Sequence, residues 1–383
     1  MRKIALIGPM GSGKSTLALQ YQAKYGGTVL DTDDAFTARY GDISRYMRAN
    51  GEDAFRKVEH ELVLQAANSA ADIISCGGGV VLNKRNMNAL RSRCDIVCLT
   101  APIQVLKERI YDSDRPLKGD IEKIVSERAE LYRRYADYTI DTSSGDCVQK
   151  LSDALSRPRK NRYDILLCDA DDTVLDFQKA MRTSIIAAAR TVGIQAADEK
   201  IVKEFGEASH IVWRKLEDKQ IERTELDTLR FSMLKERLNE HFVVSDMSEA
   251  FLENLEKTRF LLDGATEFLS AVRERGVKVY ILTNGLARVA RERLKALDGY
   301  TDGAFISEEM EYNKPDPRLF DCVFNALGGV DKTRTLMFGD SVNSDIGGGI
   351  NSGIETCLFD PSVRKSSEAD YTVRTYDELL RVL

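Results

Sequence analysis

The segment Ile4-Ala5-Leu6-Ile7-Gly8-Pro9-Met10-Gly11-Ser12-Gly13-Lys14-Ser15-Thr16 leaves a chain little choice of fold. A short apolar run suits a buried parallel strand, the glycines suit a tight turn, and Lys-Ser-Thr opens a stretch with Leu17 and Tyr21 on one helical side. This is G-x-x-x-x-G-K-[ST] with a strand before it and a helix after it, flanks that set it apart from an ordinary glycine turn. Glycines let backbone N–H groups converge on an anion, and the helix N-terminus adds positive potential. Lys14 reaches the outer phosphates and Ser15 offers a hydroxyl to Mg²⁺. Gly11, Ser12, Gly13, Lys14, Ser15 and Thr16 therefore predict a nucleoside triphosphate site.

A length of 383 residues exceeds what one core usually serves, so two domains are expected. The net charge of −6, with no Lys/Arg block, argues against nucleic acid as a partner. No apolar run reaches membrane-spanning length and the start lacks a signal-peptide pattern, so no membrane partner and a cytoplasmic location are expected. The seven cysteines are scattered, and the closest pair, Cys94 and Cys98, has no histidine near enough for a zinc set. With only His60, His210 and His241 available, carboxylates, lysines and arginines must carry any catalysis.

The first half continues in βα units. Thr28 to Leu30 reads as a strand running into Asp31-Thr32-Asp33. Two carboxylates two apart on an extended segment point the same way, which here is toward the nucleotide loop. An Asp-rich turn is the alternative. Phe55, Val58, Glu59, Leu62, Val63 and Ala66 have helical spacing, and Glu59 on that apolar stripe calls for a cation, with Arg56 at hand. Asp72 to Cys76 is a strand followed by Gly77-Gly78-Gly79, which permits close approach of backbone to ligand or simply makes a flexible loop. Cys94 to Leu99 is the next strand, and Arg109 lies on the helix after it. Arg115 stands in the basic tip Asp114-Arg115-Pro116-Leu117. Arg128 shares an apolar helix face with Ile121, Ile124, Val125, Leu131, Tyr132 and Tyr135, so its partner is a structural carboxylate or a bound acid.

Taken together, the nucleotide loop, Asp31-Thr32-Asp33, Phe55-Arg56-Lys57-Val58-Glu59, Gly77-Gly78-Gly79, Arg115-Pro116-Leu117 and Arg128-Ala129-Glu130-Leu131-Tyr132 resemble shikimate kinase. The resemblance implies an α/β, adenylate-kinase-like P-loop fold, a three-layer sandwich, over residues 1–157. It implies ATP-dependent phosphorylation of the shikimate 3-hydroxyl. It assigns Asp33, Arg56, Gly77, Gly78, Gly79 and Arg128 to the substrate, Asp31 to magnesium through water, Arg115 to the phosphates as a lid residue and Arg109 to the adenine. The stretch between Arg115 and Arg128 is shorter than the family's usual lid, and Lys118 stands where an apolar residue is common.

Residues 158–163 read as a short basic, proline-containing linker, after which the pattern restarts. Tyr163 to Cys168 is a buried-type strand running into Asp169-Ala170-Asp171-Asp172-Thr173, where one carboxylate can attack phosphorus and a neighbour can serve as acid and base. Later strands end in Thr283-Asn284-Gly285 and in Gly339-Asp340-Ser341, with Asp345 one turn on. Between them Asn313-Lys314-Pro315-Asp316-Pro317 presents a lysine fixed by two prolines. Nucleophile, acid/base, hydroxyl, lysine and metal-binding carboxylates all fall where α/β crevices form.

This half resembles the haloacid-dehalogenase-like hydrolases over residues 164–383, a Rossmann-like core with an inserted helical cap at 178–262. The resemblance makes Asp169 the nucleophile and Asp171 the acid/base. Thr283 and Lys314 stabilise the phosphoryl group, and Asp169, Asp171, Asp340 and Asp345 form the Mg²⁺ site. Thr-Asn-Gly and Ile306-Ser307-Glu308-Glu309 look most like the pyrimidine 5′-nucleotidase branch, which adds nucleoside 5′-monophosphates as substrates. The sequence as a whole reads as a kinase joined to a phosphatase, both acting on small molecules. Two other readings share the residues: a kinase for another small polyol or acid, or one half kept as a ligand-binding module.

Overall fold

Apolar runs too short for helices become the strands of two parallel sheets. In the computed structural model, residues 3–110, 121–217, 220–363 and 365–383 are described. Two units result: Met1–Arg162 with Arg381–Leu383, and Tyr163–Leu380. Among the described residues no helix is long and apolar enough to cross a membrane.

The first unit is built on β1 (Ile4–Ile7), β2 (Val29–Asp31), β3 (Ile73–Ser75), β4 (Asp95–Thr100) and β5 (Tyr138–Asp141), in the order β2-β3-β1-β4-β5. β1 lies between β3 and β4, with Ile4 opposite Ile73 on one side and Asp95 on the other. The side-chain period of two splits β1 between two helical layers. Ala5 and Ile7 pack with Val63, Ala66 and Met87, while Ile4 and Leu6 pack with Leu17, Ala18 and Leu151. This is the three-layer sandwich, and it brings the C-terminal ends of β1 and its neighbours to one rim.

The basic stretch expected to act as a linker is anchored at its end. Arg162 and Asp137 are nearly inaccessible and pair through two contacts, Nε to Oδ1 at 2.9 Å and Nη2 to Oδ2 at 2.6 Å; a third N–H reaches the Arg91 carbonyl at 2.6 Å. Removing one partner of a buried pair strands the other charge, at a cost of about 3–5 kcal/mol. Arg162→Ala is therefore expected to destabilise the first unit. The sole tryptophan, Trp213, lies in the second, so the far-UV circular dichroism of the first unit should melt early while tryptophan fluorescence does not.

The second unit contains β6 (Ile165–Cys168), β7 (Lys278–Thr283), β8 (Gly303–Ile306), β9 (Thr335–Gly339), β10 (Glu355–Phe359) and β11 (Tyr371–Val373), ordered β11-β10-β9-β6-β7-β8. β6 is central, with Ile165 facing Lys278 and Thr335, and Leu166, Leu167 and Cys168 are wholly buried. Helices Phe177–Thr191, Asp198–Glu217, Leu226–Leu238 and Val244–Glu256 fall between β6 and β7 in the chain, over the stretch expected to form a cap. Their shared core holds Met181, Ile185 and Ala188. On the second helix the buried face is Ile201, Phe205, Ala208 and Val212. The face starts at Ile201 and leaves Val202 half-buried, because Phe205 turns toward Phe231 and Phe251, with ring centroids 5.3 and 4.9 Å away.

Candidate active sites

At the first rim, Gly8, Gly11 and Gly13 have φ of 139°, 80° and 87°, and a Cβ on Gly8 would run into the Leu99 carbonyl. Only glycine holds this loop without strain. The helix Lys14–Tyr25 starts where the loop ends. Lys14 folds back over it, Nζ donating to the carbonyls of Gly8 and Pro9 at 2.9 and 3.0 Å. The Ser15 hydroxyl donates to Asp31 Oδ2 at 2.6 Å, which puts the two residues named for Mg²⁺ in direct contact.

The geometry of Asp31-Thr32-Asp33 differs from the extended segment expected. Asp31 ends β2 and caps the helix Thr32–Tyr40, its Oδ1 accepting from the amides of Asp33 and Asp34 at 2.9 and 3.3 Å. Capping ends the strand, because the carboxylate satisfies N–H groups that the sheet cannot. Asp33 sits in the first helical turn, and both carboxylates still line one cavity of about 840 Å³. Lys14, Ser15, Arg56, Gly77, Gly78, Gly79, Arg109 and Arg128 line it too.

Gly77-Gly78-Gly79 is a fitted surface. A Cβ on Gly77 would fall 2.6 Å from Asp33 Oδ1, and one on Gly79 would strike the Arg56 guanidinium. Arg56 pairs with the buried Glu59, Nη1 to Oε2 at 2.8 Å, and with Glu52 at 2.9 Å. Burial pushes the Glu59 carboxyl up, against the pull of Arg56. Arg128, on helix Ile121–Tyr135, donates to the Gly78 carbonyl at 3.1 Å; its charge reaches Glu59, but among the described residues no carboxylate makes a direct ion pair with it. Arg109 donates to the Thr142 carbonyl at 2.7 Å and hydroxyl at 3.0 Å. Arg115 and Lys118 lie outside the described residues.

At the second rim, the Asp169 carboxylate leaves the end of β6 and meets Lys314. The Lys314 ammonium is buried between Asp169 Oδ1 and Asp345 Oδ1, both at 2.6 Å, and also reaches the Leu282 carbonyl at 2.7 Å. Burial opposes this ammonium, but the two carboxylates outweigh it and hold its pKa above the ordinary lysine value. Asn284 fixes the lysine's backbone through a reciprocal pair of hydrogen bonds, each 2.9 Å. The Thr283 hydroxyl oxygen accepts from Gly285 N–H at 3.0 Å, which leaves its own proton to donate.

Asp169, Asp340 and Asp345 offer carboxylate oxygens within 4.8 Å of one another, an all-oxygen set suited to a hard divalent cation such as Mg²⁺. The Asp171 carboxylate, expected among the metal ligands, is not part of that cluster. It is drawn instead to Arg293 Nη1 at 2.5 Å. Burial pushes the Asp171 carboxyl up, with Arg293 opposing and Asp169 assisting.

The sequence reading passed over several residues now in these sites. Thr142 ties Arg109 to the Ser12 carbonyl, Tyr132 shares the Gly78 carbonyl with Arg128, and Lys365 pairs with Asp340 at 3.0 Å. No local motif marks Thr142 or Lys365. Tyr132 was visible as a member of an apolar helix face and of the segment Arg128–Tyr132, with no role assigned to it.

Comparison with known proteins separates along the same line. Residues 10–156 match the family model for shikimate kinase, and residues 163–353 match that for haloacid dehalogenase-like hydrolase. A shikimate kinase of Dehalococcoides mccartyi is 33% identical over 164 residues, 40% of this chain and 93% of that protein. The pyrimidine 5′-nucleotidase PynA of Streptococcus pneumoniae is 31% identical over 227 residues, 58% of this chain and 95% of that protein. The crystal structure of the putative HAD-hydrolase YfnB from Bacillus subtilis, bound to magnesium, superposes with a TM-score of 0.55 at 28% identity, covering 58% of this chain and 98% of that one.

Proposed function

Because the chain belongs to two families at once, the shikimate kinases through residues 10–156 and the haloacid dehalogenase-like hydrolases through residues 163–353, we propose that it phosphorylates shikimate with ATP in its first unit and hydrolyses phosphomonoesters in its second. The observation that carries the kinase reading is Arg128. It faces the cavity that contains Asp33 and the phosphate loop, and no carboxylate among the described residues is in direct ion-pair contact with it, since Glu59, whose charge it feels, is paired with Arg56. A carboxylate on the substrate supplies the missing anion, with Arg56 beside it. Asp33 accepts the proton of the substrate hydroxyl as its oxygen attacks the γ-phosphorus of ATP, and ADP departs. Lys14 and the loop amides hold the phosphates, while Ser15 and Asp31 are placed to hold Mg²⁺. Arg109 lies at the adenine end of the cavity.

Arg128→Ala is expected to raise the KM for shikimate roughly 30-fold, the loss of one charge-assisted pair of about 2 kcal/mol, with the KM for ATP nearly unchanged. Steady-state kinetics in each substrate separates the two. An equal rise in both constants would place Arg128 elsewhere than on the acid.

In the second unit Asp169 is the nucleophile. Its carboxylate oxygen attacks phosphorus, Asp171 gives a proton to the departing oxygen, and the aspartyl phosphate is then hydrolysed by water that Asp171 deprotonates. A magnesium ion held by Asp169, Asp340 and Asp345 would neutralise phosphate charge. Lys314 and the Thr283 hydroxyl bind the transferring group. The likeness to PynA supports nucleoside 5′-monophosphates as the substrate class. Phosphate release from a panel of nucleoside monophosphates and sugar phosphates tests this, with the pyrimidine nucleotides expected to turn over fastest.

A further inference from the structure

Arg293 is a cation in an unfavourable place. Its side chain is 4% exposed, and it stands on the helix Ala287–Leu294 that follows β7. Its one polar contact among the described residues is Nη1 to Asp171 Oδ1; Nε and Nη2 are buried without hydrogen-bond partners. The ring of Phe177, the first residue of the cap's first helix, lies 5.5 Å from the guanidinium. As a stability device this is poor, because buried ion pairs are often matched or bettered by apolar residues of the same volume. The two unpartnered nitrogens add a desolvation cost.

Its geometry fits another purpose. Asp171 comes from the loop after β6, 122 positions away in sequence, and a third of its side chain remains exposed while Arg293 is sealed behind it. The next residue, Asp172, is turned the other way, its Oδ1 accepting from the amides of Phe177 and Gln178. The two adjacent carboxylates are thus held by different anchors. We propose that Arg293 is a positioning residue of the hydrolase, holding the Asp171 carboxylate toward the leaving oxygen of the phosphomonoester.

This inference rests on the reading of Asp171 as the acid that protonates that oxygen. Arg293 itself touches no reacting atom. During P–O cleavage the electron pair stays on the departing oxygen and the proton comes from Asp171, so misplacing that carboxylate matters only where the departing oxygen needs the proton. An alkoxide needs it; p-nitrophenolate needs it little.

The test uses the full chain with Arg293→Met, Arg293→Gln and Asp171→Asn. It compares kcat/KM for β-glycerophosphate and for p-nitrophenyl phosphate. The constant kcat/KM covers steps through departure of the leaving group, so the later hydrolysis of aspartyl phosphate drops out of the comparison. General acid catalysis is worth about 10²–10⁴-fold, and Arg293→Met is expected to lose about tenfold or more on the alkyl ester beyond its loss on the aryl ester. Arg293→Gln, which keeps an N–H donor, should recover part of that selective loss. If Arg293→Met does not fold, Arg293→Lys, a cation of shorter reach, serves in its place. Equal losses on both esters, with Asp171→Asn still selective, would overturn the positioning role. If Asp171→Asn were itself unselective, the acid assignment would fail and the proposal with it, a separately recognisable result.

Discussion

Asp169→Asn is expected to lower phosphomonoester hydrolysis by a factor on the order of 10⁴–10⁶, the scale seen when a covalent nucleophile is removed, and to leave ATP-dependent phosphorylation unchanged. An amide cannot attack phosphorus as a carboxylate does, yet it matches the carboxylate in shape. Lys314 retains Asp345 at 2.6 Å, so the buried ammonium keeps a counter-charge and the fold should survive. Phosphate release from p-nitrophenyl phosphate, with circular dichroism to confirm folding, measures the effect. A folded Asp169→Asn protein that had also lost phosphorylation would mean that the two activities share a site.

Lys14→Ala is the mirror experiment. The ammonium sits within hydrogen-bond reach of the Gly8 and Pro9 carbonyls, directly on the loop that would hold the phosphates. Removing one donor aimed at developing charge costs about 10²–10³-fold in turnover. ADP formation in the presence of shikimate is expected to fall by that factor, while hydrolysis of p-nitrophenyl phosphate stays at the wild-type rate. The asymmetry matters more than the size. Hydrolysis falling together with ADP formation would argue for coupling between the sites.

How much of this was legible in the sequence depended on how local each feature is. The phosphate loop was readable because its backbone demands glycine where L side chains rarely fit, as at Gly8 and Gly13. Asp169, Thr283 and Asp340 were readable because each closes or follows a strand, and parallel strands deliver their ends to one rim, while Lys314 was marked by the prolines that follow it. The pair Asp31 and Asp33 was placed at the right rim for an incomplete reason. A side chain that caps a helix redirects the chain, and two-residue alternation does not anticipate that. Contacts between distant segments left no trace in spacing. Arg293 lies in no motif the sequence offers, and Arg162 read as part of a basic linker, until the partners Asp171 and Asp137 were located. The short strands β8, β10 and β11 were also missed, since runs of three to five residues carry little periodicity.

The central claim is that the first unit transfers phosphate to a hydroxyl acid recognised by its carboxylate, independently of a hydrolase in the second. The Asp169→Asn chain tests it directly, because it removes hydrolysis that would blur the product balance. Supplied with ATP and shikimate and followed by ³¹P NMR, it should form one phosphomonoester for each ADP, with negligible ATP loss when shikimate is withheld. ATP consumption that ignored shikimate, or equal phosphorylation of a polyol lacking a carboxylate, would contradict the account.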